Sequence, residues 1–527
     1  MRFSTKTAKP ADVPLFFRSG PLFFPFGGTR PSFPASIRAF SLSFGDASML
    51  SKILTTLAVL AVIPIFSLAQ EAPTADFSAT DEIRSMLHIA SSLVQHIDKS
   101  QQGSVASNIA QEQARIGDLD DAWATINKVQ NEESRRFAIG LFASNVTRLG
   151  NEGWALSLLE SAVPGNGAEK AQAYSLMAQS LAGKKSFHEA LELVDRIENC
   201  EDFFGKTNVV VETLMAIHAG QHKAGDLSRA DVTLSMALNA VEREAEHPFE
   251  NTFAQSTPAG EYGTIAAQLT KEGDRSTAEG ILDRIYALIA EAPDQKHRED
   301  TIFMLGNALV TMGELEAAKG VAEQLEPGQQ REGIMMEIAM KRATQAEPIE
   351  ALAPAMALTY EPWRIGSLRL IADSLASSGN YVQALSTIDL IDDAGERAYG
   401  FSEVAYEQAR RNDPSAGAFL QLAWSAALKA GTETKPFVLA QIAVARGMTG
   451  DIAGAVEVVS RMAEQDRWWA VESLSSIMVD AGRMPEAIAL AESQQTAYPK
   501  ATAYLGIASQ LIAERDAAAK RRREAHR

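Results

Sequence analysis

Residues 371–384 read IADSLASSGNYVQA, and residues 442–455 read IAVARGMTGDIAGA. Each sets an apolar residue beside a small one, places glycine seven positions after the small residue, and reaches alanine five positions later. An apolar knob next to a small residue lets two antiparallel helices approach closely. Glycine accepts the left-handed backbone with which one helix ends and the next begins. The unit is therefore a helical hairpin.

The pattern extends outward in both directions. The closing alanine recurs at Ala122, Ala155, Ala190, Ala230, Ala278, Ala318, Ala351, Ala384, Ala455 and Ala487, with Gly417 in its place once. Eight of these eleven markers have glycine five residues earlier, and a ninth has Asn412, which also tolerates a left-handed backbone. An acid often follows, as in Asp118, Asp226, Asp274, Glu314 and Asp451, where it can cap the second helix. Strand signals are nearly absent from residue 80 onward, so the sequence predicts an all-α chain of about eleven hairpins.

In the spacing of these residues the chain resembles the tetratricopeptide repeat family over roughly 100–515. The resemblance implies an α-solenoid wound as a right-handed superhelix, first helices on its concave face, and a protein or peptide as ligand. The family's frequent Trp, Tyr and closing Pro positions are mostly missing. Several spacings exceed 34, which implies longer helices or loops at 190–318. No repeat has the first-helix lysine of the family's carboxylate clamp, so capture of a peptide C-terminus is not implied.

The 527 residues are 46% hydrophobic and 22% charged, a globular balance. A formal charge of −18 argues against a nucleic-acid partner, which needs a basic footprint, and suits a neutral or basic one. Residues 49–69 read as a signal peptide: Lys52, the apolar run Ile53–Leu68, then Ser67-Leu68-Ala69 before Gln70. Export to a periplasmic or extracellular space is expected. A membrane contact is expected only if that run, short for a span, is retained. Residues 1–48 are either an upstream extension before a true start at Met49 or a transit-like segment. Residues 70–99 are expected as an N-terminal capping helix region and 516–527 as a basic tail. Cys200 is the single cysteine, so the fold has no internal disulfide.

Candidate binding residues stand out against this register. A basic column lies twenty residues before the marker: Arg135, Lys170, Arg298, Arg331, Arg364, Arg397, Lys435, Arg467 and, one spacing on, Lys500. It reads either as a structural set pairing with acids near the hairpin turn or as a ladder for an acidic segment. Trp363, Trp468 and Trp469 begin first helices beside Arg364 and Arg467, a composition typical of interface anchors. Packing between repeats is their alternative reading. Trp123, Trp154 and Trp424 fall on second helices, as expected core. His218 and His222, four apart, could share a metal from one helix face, but no third ligand is near in sequence. A register shift, with Ala216 or Ala219 in the small slot, is the other explanation.

No Gly-x-Ser-x-Gly, phosphate loop, HExxH or activated cysteine occurs, and no cofactor is expected. The expected function is an exported scaffold that binds a protein or peptide without catalysis. The alternatives are a helical-toroid enzyme acting on polysaccharide or cell-wall material, and a structural subunit of an envelope assembly. A toroid requires repeat ends that meet and a cleft lined by carboxylates.

Overall fold

The computed structural model describes residues 77–525 except 164, 166, 202, 204, 245–256, 346–347 and 432–434. All belong to one of the chain's two compact units, Phe33–Arg527. The extension and signal segment at 1–69, and residues 245–256 within the long-spaced stretch 190–318, lie outside the described residues. Among the described residues there are 24 α-helices and no strand.

A leading helix α1 (Phe77–Leu93) precedes eleven hairpins and a final helix. The first four hairpins are α2 (Lys99–Arg115) with α3 (Leu119–Ile126), α4 (Glu132–Arg148) with α5 (Glu152–Ala162), α6 (Ala168–Gly183) with α7 (Phe187–Glu198), and α8 (Lys206–Ala224) with α9 (Leu227–Glu244). The next four are α10 (Pro258–Glu272) with α11 (Arg275–Glu291), α12 (Gln295–Met312) with α13 (Leu315–Ala322), α14 (Gln329–Thr344) with α15 (Leu352–Met356), and α16 (Glu361–Ser377) with α17 (Tyr381–Ile388). The last three are α18 (Ala394–Arg410) with α19 (Ala416–Ala430), α20 (Pro436–Met448) with α21 (Ile452–Arg461), and α22 (Trp468–Asp480) with α23 (Met484–Glu492). Helix α24 (Ala497–Ala525) ends the array. The protein is an all-α solenoid of tetratricopeptide-like hairpins.

The register residues do what their chemistry requires. The apolar knobs Ile109, Ile371 and Ile442 and the marker alanines Ala122, Ala384 and Ala455 are all 0% exposed. Gly273 closes α10 with φ +90°. Where glycine is missing from that position, Lys185 and Asn412 take the same left-handed backbone, with φ 66° and 55°. The acids after the turn divide into two groups. Asp274 and Asp451 cap their helices by accepting from Thr277 N and Gly454 N. Asp118 makes no such cap and instead binds Arg84 of α1 at 2.8 Å, while Glu314 binds Arg275 at 2.5 Å. The long spacings come partly from extended second helices, with 18 residues in α9 and 17 in α11 against 8 in α13.

Each first helix packs on the next, whereas neighbouring second helices mostly stay apart. A curved double layer of this kind puts the first helices on its inner side. The two ends of the array meet. Helix α24 packs along α1 as a first helix packs on its own second helix, and it lies between α22 and α2. Arg115 of α2 reaches Asp516 of α24 at 2.8 Å. Ile83 and Leu87 of α1 and Ile507 and Ile512 of α24 are 0% exposed. The segment expected as an N-terminal cap thus pairs with α24, whose buried residues lie before the expected tail at 516–527, as a twelfth hairpin drawn from the two ends, and the solenoid closes into a ring. The physical cause is the apolar face of α24, which α1 covers as a second helix would.

Candidate ligand-binding inner face

Along each first helix the flanks are buried against neighbouring repeats. One stripe with a spacing of three to four residues stays half-buried. In α18 the stripe runs through Glu396, Glu403, Tyr406, Glu407 and Arg410. In α16 it includes Arg369 and Asp373, in α14 Glu337 and Lys341, and in α22 Glu472. By the helix order these stripes line the ring's interior.

A row of aromatic rings crosses this wall between adjacent first helices. Tyr399 meets Phe437 at 5.4 Å and Phe437 meets Trp469 at 5.5 Å. Tyr406 meets Trp469 at 5.9 Å, and Trp468 stacks on Tyr498 at 5.5 Å. The Arg369 guanidinium sits 3.7 Å above the Tyr399 ring, with Glu396 and Glu403 each 3.9 Å from its Nη1. Lys435 binds Glu396 at 2.5 Å.

Four carboxylates of the wall, Glu337, Asp373, Glu403 and Glu472, hold their protons more tightly than usual. Burial pushes Glu472 up to about 8, with Glu112 adding like-charge repulsion. Burial also lifts Glu337 to about 7, against the pull of Lys341. Asp373 rises well above the ordinary range through burial and then through Glu407 and Glu403. Glu403 is raised by burial despite Arg369, and burial lifts the Tyr406 hydroxyl to about 12. Water reaches these groups from the lumen, but the flanking helices exclude it from most other directions.

The basic column lies at the hairpin junctions and is largely engaged there. Arg397 donates to the Ile391 and Asp392 carbonyls at 2.5 and 2.7 Å. Arg467 donates to Met462 O at 3.0 Å and Ser460 O at 3.1 Å, and pairs with Glu464 at 2.5 Å. Lys170 and Lys500 pair with Glu160 and Glu492 at 2.8 and 2.6 Å. The recurring partner is thus the electronegative end of the preceding second helix and its loop. In the fourth repeat Lys206, four residues off the column, does the same with Cys200 O at 2.7 Å. Arg364 has Glu361 at 3.9 Å. Arg298 is exposed and Arg331 half-buried.

Of the tryptophans, Trp469 is 7% exposed within the aromatic row. Trp363 and Trp468 are half-buried, Trp363 edge-on to Tyr360 at 5.1 Å. Trp154 meets Phe142 at 5.8 Å. Trp123, Trp154 and Trp424 all depart from their expected core positions: each is half-buried, and Trp424 has Arg446 and Arg461 over its ring at 5.3 and 5.1 Å. His218 Nδ1 lies 3.0 Å from Glu272 of the next repeat and His222 lies 3.9 Å from it. Sequence spacing gave no hint of Glu272, 50 residues away. The described residues contain no group of three or more His, Cys, Asp or Glu arranged to hold a metal. The close approach in α8 occurs at Gly220, where a Cβ would lie 3.1 Å from the Ala182 carbonyl oxygen.

No family model matches this chain, and no curated protein matches it. Among solved structures it is similar to Ton1535 from Thermococcus onnurineus NA1, with 15% identity, a TM-score of 0.24, and coverage of 76% of this chain and 97% of that one. It is also similar to the APC/C hetero-tetramer Cut9-Hcn1, with 14% identity, a TM-score of 0.24, and coverage of 82% and 96%. Superposition at that level is loose, and the fold rests on the helix pairing described above.

Proposed function

We propose that the protein is an exported, non-catalytic scaffold whose ring takes a segment of a protein or peptide against its inner face. The observation that supports this is the wall itself. Side chains able to anchor a ligand, both aromatic and ionisable, remain half-buried on the inner stripes of successive first helices. Arrays of this kind build long curved surfaces from neighbour contacts, without a single deep catalytic cleft. Arg397, Arg467, Lys170 and Lys500 of the column fasten the junctions, and Arg135, Arg298 and Arg331 are the members without an ion pair or side-chain hydrogen bond among the described residues that could still meet a partner at the rim.

The test is a pull-down from the exported fraction of the source cells. Baits are the intact protein, an inner variant Glu337→Gln/Asp373→Asn/Tyr406→Ala, and an outer variant Val382→Ala. A discrete partner lost with the inner variant and kept with the outer one supports the reading. Loss with the outer variant alone overturns the inner-face assignment.

The meeting ends and the proton-holding Glu472 favour one second reading, a toroid enzyme acting on polysaccharide with Glu472 as proton donor. Release of reducing ends from cell-wall polysaccharide by the intact protein, abolished in Glu472→Gln, would establish that reading in place of the scaffold.

A further inference from the structure

Resting on the scaffold reading, we propose that the arc of the inner wall formed by α14, α16, α18 and α22 binds an extended basic peptide, with Lys or Arg side chains directed at Glu337, Asp373, Glu403 and Glu472 and main-chain carbonyls at Arg369.

The charge inventory carries the first half. Lys341, beside Glu337, donates to the Thr311 carbonyl at 3.3 Å, Arg369 faces Glu396 and Glu403 at 3.9 Å, and the other cations near this arc are already engaged. Arg410 and Arg411 both bind Glu407, at 2.6 and 2.8 Å, and Lys435 binds Glu396. Glu337, Asp373 and Glu472 have no ion pair among the described residues. An acid in that setting is costly to ionise, and an incoming ammonium or guanidinium removes the cost by pairing with it. An anionic or a neutral ligand leaves these acids protonated and gains no such pairing. The wall also displays the contact such a ligand would make, since Arg369 lies face-on over Tyr399. Tyr406 and Phe437, both half-buried, present further ring surface beside Glu403.

The second half rests on a separate observation. Nε and Nη1 of Arg369 are buried and donate no hydrogen bond, because the facing carboxylates stand off at 3.9 Å. Buried donors without acceptors are unfavourable, and a ligand that brings carbonyl oxygens to them is rewarded. A peptide main chain carries one carbonyl per residue, whereas a free polyamine carries none.

Spacing then sets the register. Adjacent packed helices lie about 8–10 Å apart. An extended or polyproline-type chain advances about 9–10 Å in three residues. Basic side chains at every third position therefore match Glu337, Asp373 and Glu403 on the consecutive first helices α14, α16 and α18, and one six positions further on matches Glu472, two first helices beyond.

The experiment uses the full chain and fluorescein-labelled twelve-residue peptides read by fluorescence anisotropy. One peptide has lysine at every third position, a second has the same composition with its lysines clustered, and a third has glutamate in place of lysine. The first is expected to bind saturably and about tenfold more tightly than the second. The glutamate peptide is expected not to bind. Asp373→Asn/Glu472→Gln, checked for an unchanged helical circular-dichroism spectrum, should weaken the first peptide at least tenfold. Titration calorimetry in buffers of different ionisation enthalpy should show protons released on binding at pH 7, which non-specific adhesion to an acidic protein would not produce. Equal binding of all three peptides, or lysine-peptide affinity unchanged in the double variant, overturns the proposal while leaving a peptide scaffold standing. Failure of all three peptides, basic and acidic, removes the scaffold reading with it.

Discussion

Gly506 sits where α24 crosses α22, and replacing it with alanine tests the closure of the ring. A Cβ at this position would fall inside the contact radius of the Glu472 carbonyl oxygen and lie 2.9 Å from the Glu472 carbonyl carbon and 3.2 Å from its Cα. All three are backbone atoms of a helix, so no rotamer change relieves the overlap. The two helices must separate by roughly 1 Å, enough to forfeit a quarter to a half of each dispersion contact between them. Overpacking of this kind costs about 1–3 kcal/mol, and the alanine recovers up to about 1 kcal/mol through helix propensity. Because α24 is held on its other side by α2 and α1, it cannot slide away freely, and the upper half of that range is expected. Gly447→Ala is the internal control. There the new Cβ meets Leu474 Cδ2 at 2.5 Å, the end of a side chain that can turn, so the expected change is within about 0.5 kcal/mol. Urea denaturation gives both values. Hydrogen exchange should place the added opening of Gly506→Ala in α24 and α1 rather than evenly round the ring. Equal stabilities for the two variants, or protection lost uniformly, would refute the reasoning.

The remaining predictions concern a proton, a junction and a terminus. Glu472 has a folded value of about 8 against an ordinary 4.5, so its proton is bound more tightly in the folded state. The stability this group contributes is therefore greatest below about pH 4.5 and is lost as pH rises toward 8. Carried through in full, that rise is worth roughly 5 kcal/mol; lumen water screens it, and about 2 kcal/mol is expected. Glu472→Gln should flatten the decline between pH 5 and 9 in thermal melts, and a variant as pH-dependent as the parent would disprove the assignment. Arg467→Ala removes bonds to Met462 O, Ser460 O and Glu464 and should cost about 2 kcal/mol, with little effect of added salt because two of the acceptors are carbonyls. An arginine serving ligands alone would leave the melting temperature unchanged. If the chain is exported as its sequence suggests, N-terminal sequencing of the protein recovered from the exported fraction should begin at Gln70; a protein retained in the cytosol with residues 1–69 intact would exclude it.

The hairpin was legible because its signals are local. A turn glycine, a small residue and an apolar knob act within about twenty residues, and Ile371, Gly379 and Ala384 stand in the structure as their chemistry demands. The basic column was legible as a column, and Lys170, Arg397, Arg467 and Lys500 each bind the end of the preceding second helix or its loop. Its partners were harder to read, because backbone carbonyls such as those of Ile391 and Ser460 leave no mark in a sequence. Ring closure was not legible at all. Nothing in α1 or α24 alone distinguishes a capping helix from half of a hairpin completed more than 400 residues away, and Arg115–Asp516 is a contact of that separation. The inner wall was missed for the same reason: Asp373, Glu403 and Glu472 lie on stripes that read as solvated helix faces. Curvature turns those stripes toward one another, and the enclosure, not the sequence around each residue, gives them their altered chemistry. The ring and the wall are thus one property of the fold. Opening the closure between α1 and α24 should let water reach Glu472 more freely and bring its proton affinity back toward that of an ordinary glutamate. Gly506→Ala is therefore expected to weaken the pH dependence that Glu472 confers, and full retention of that dependence would mean that α22 and its immediate neighbours create it without the ring.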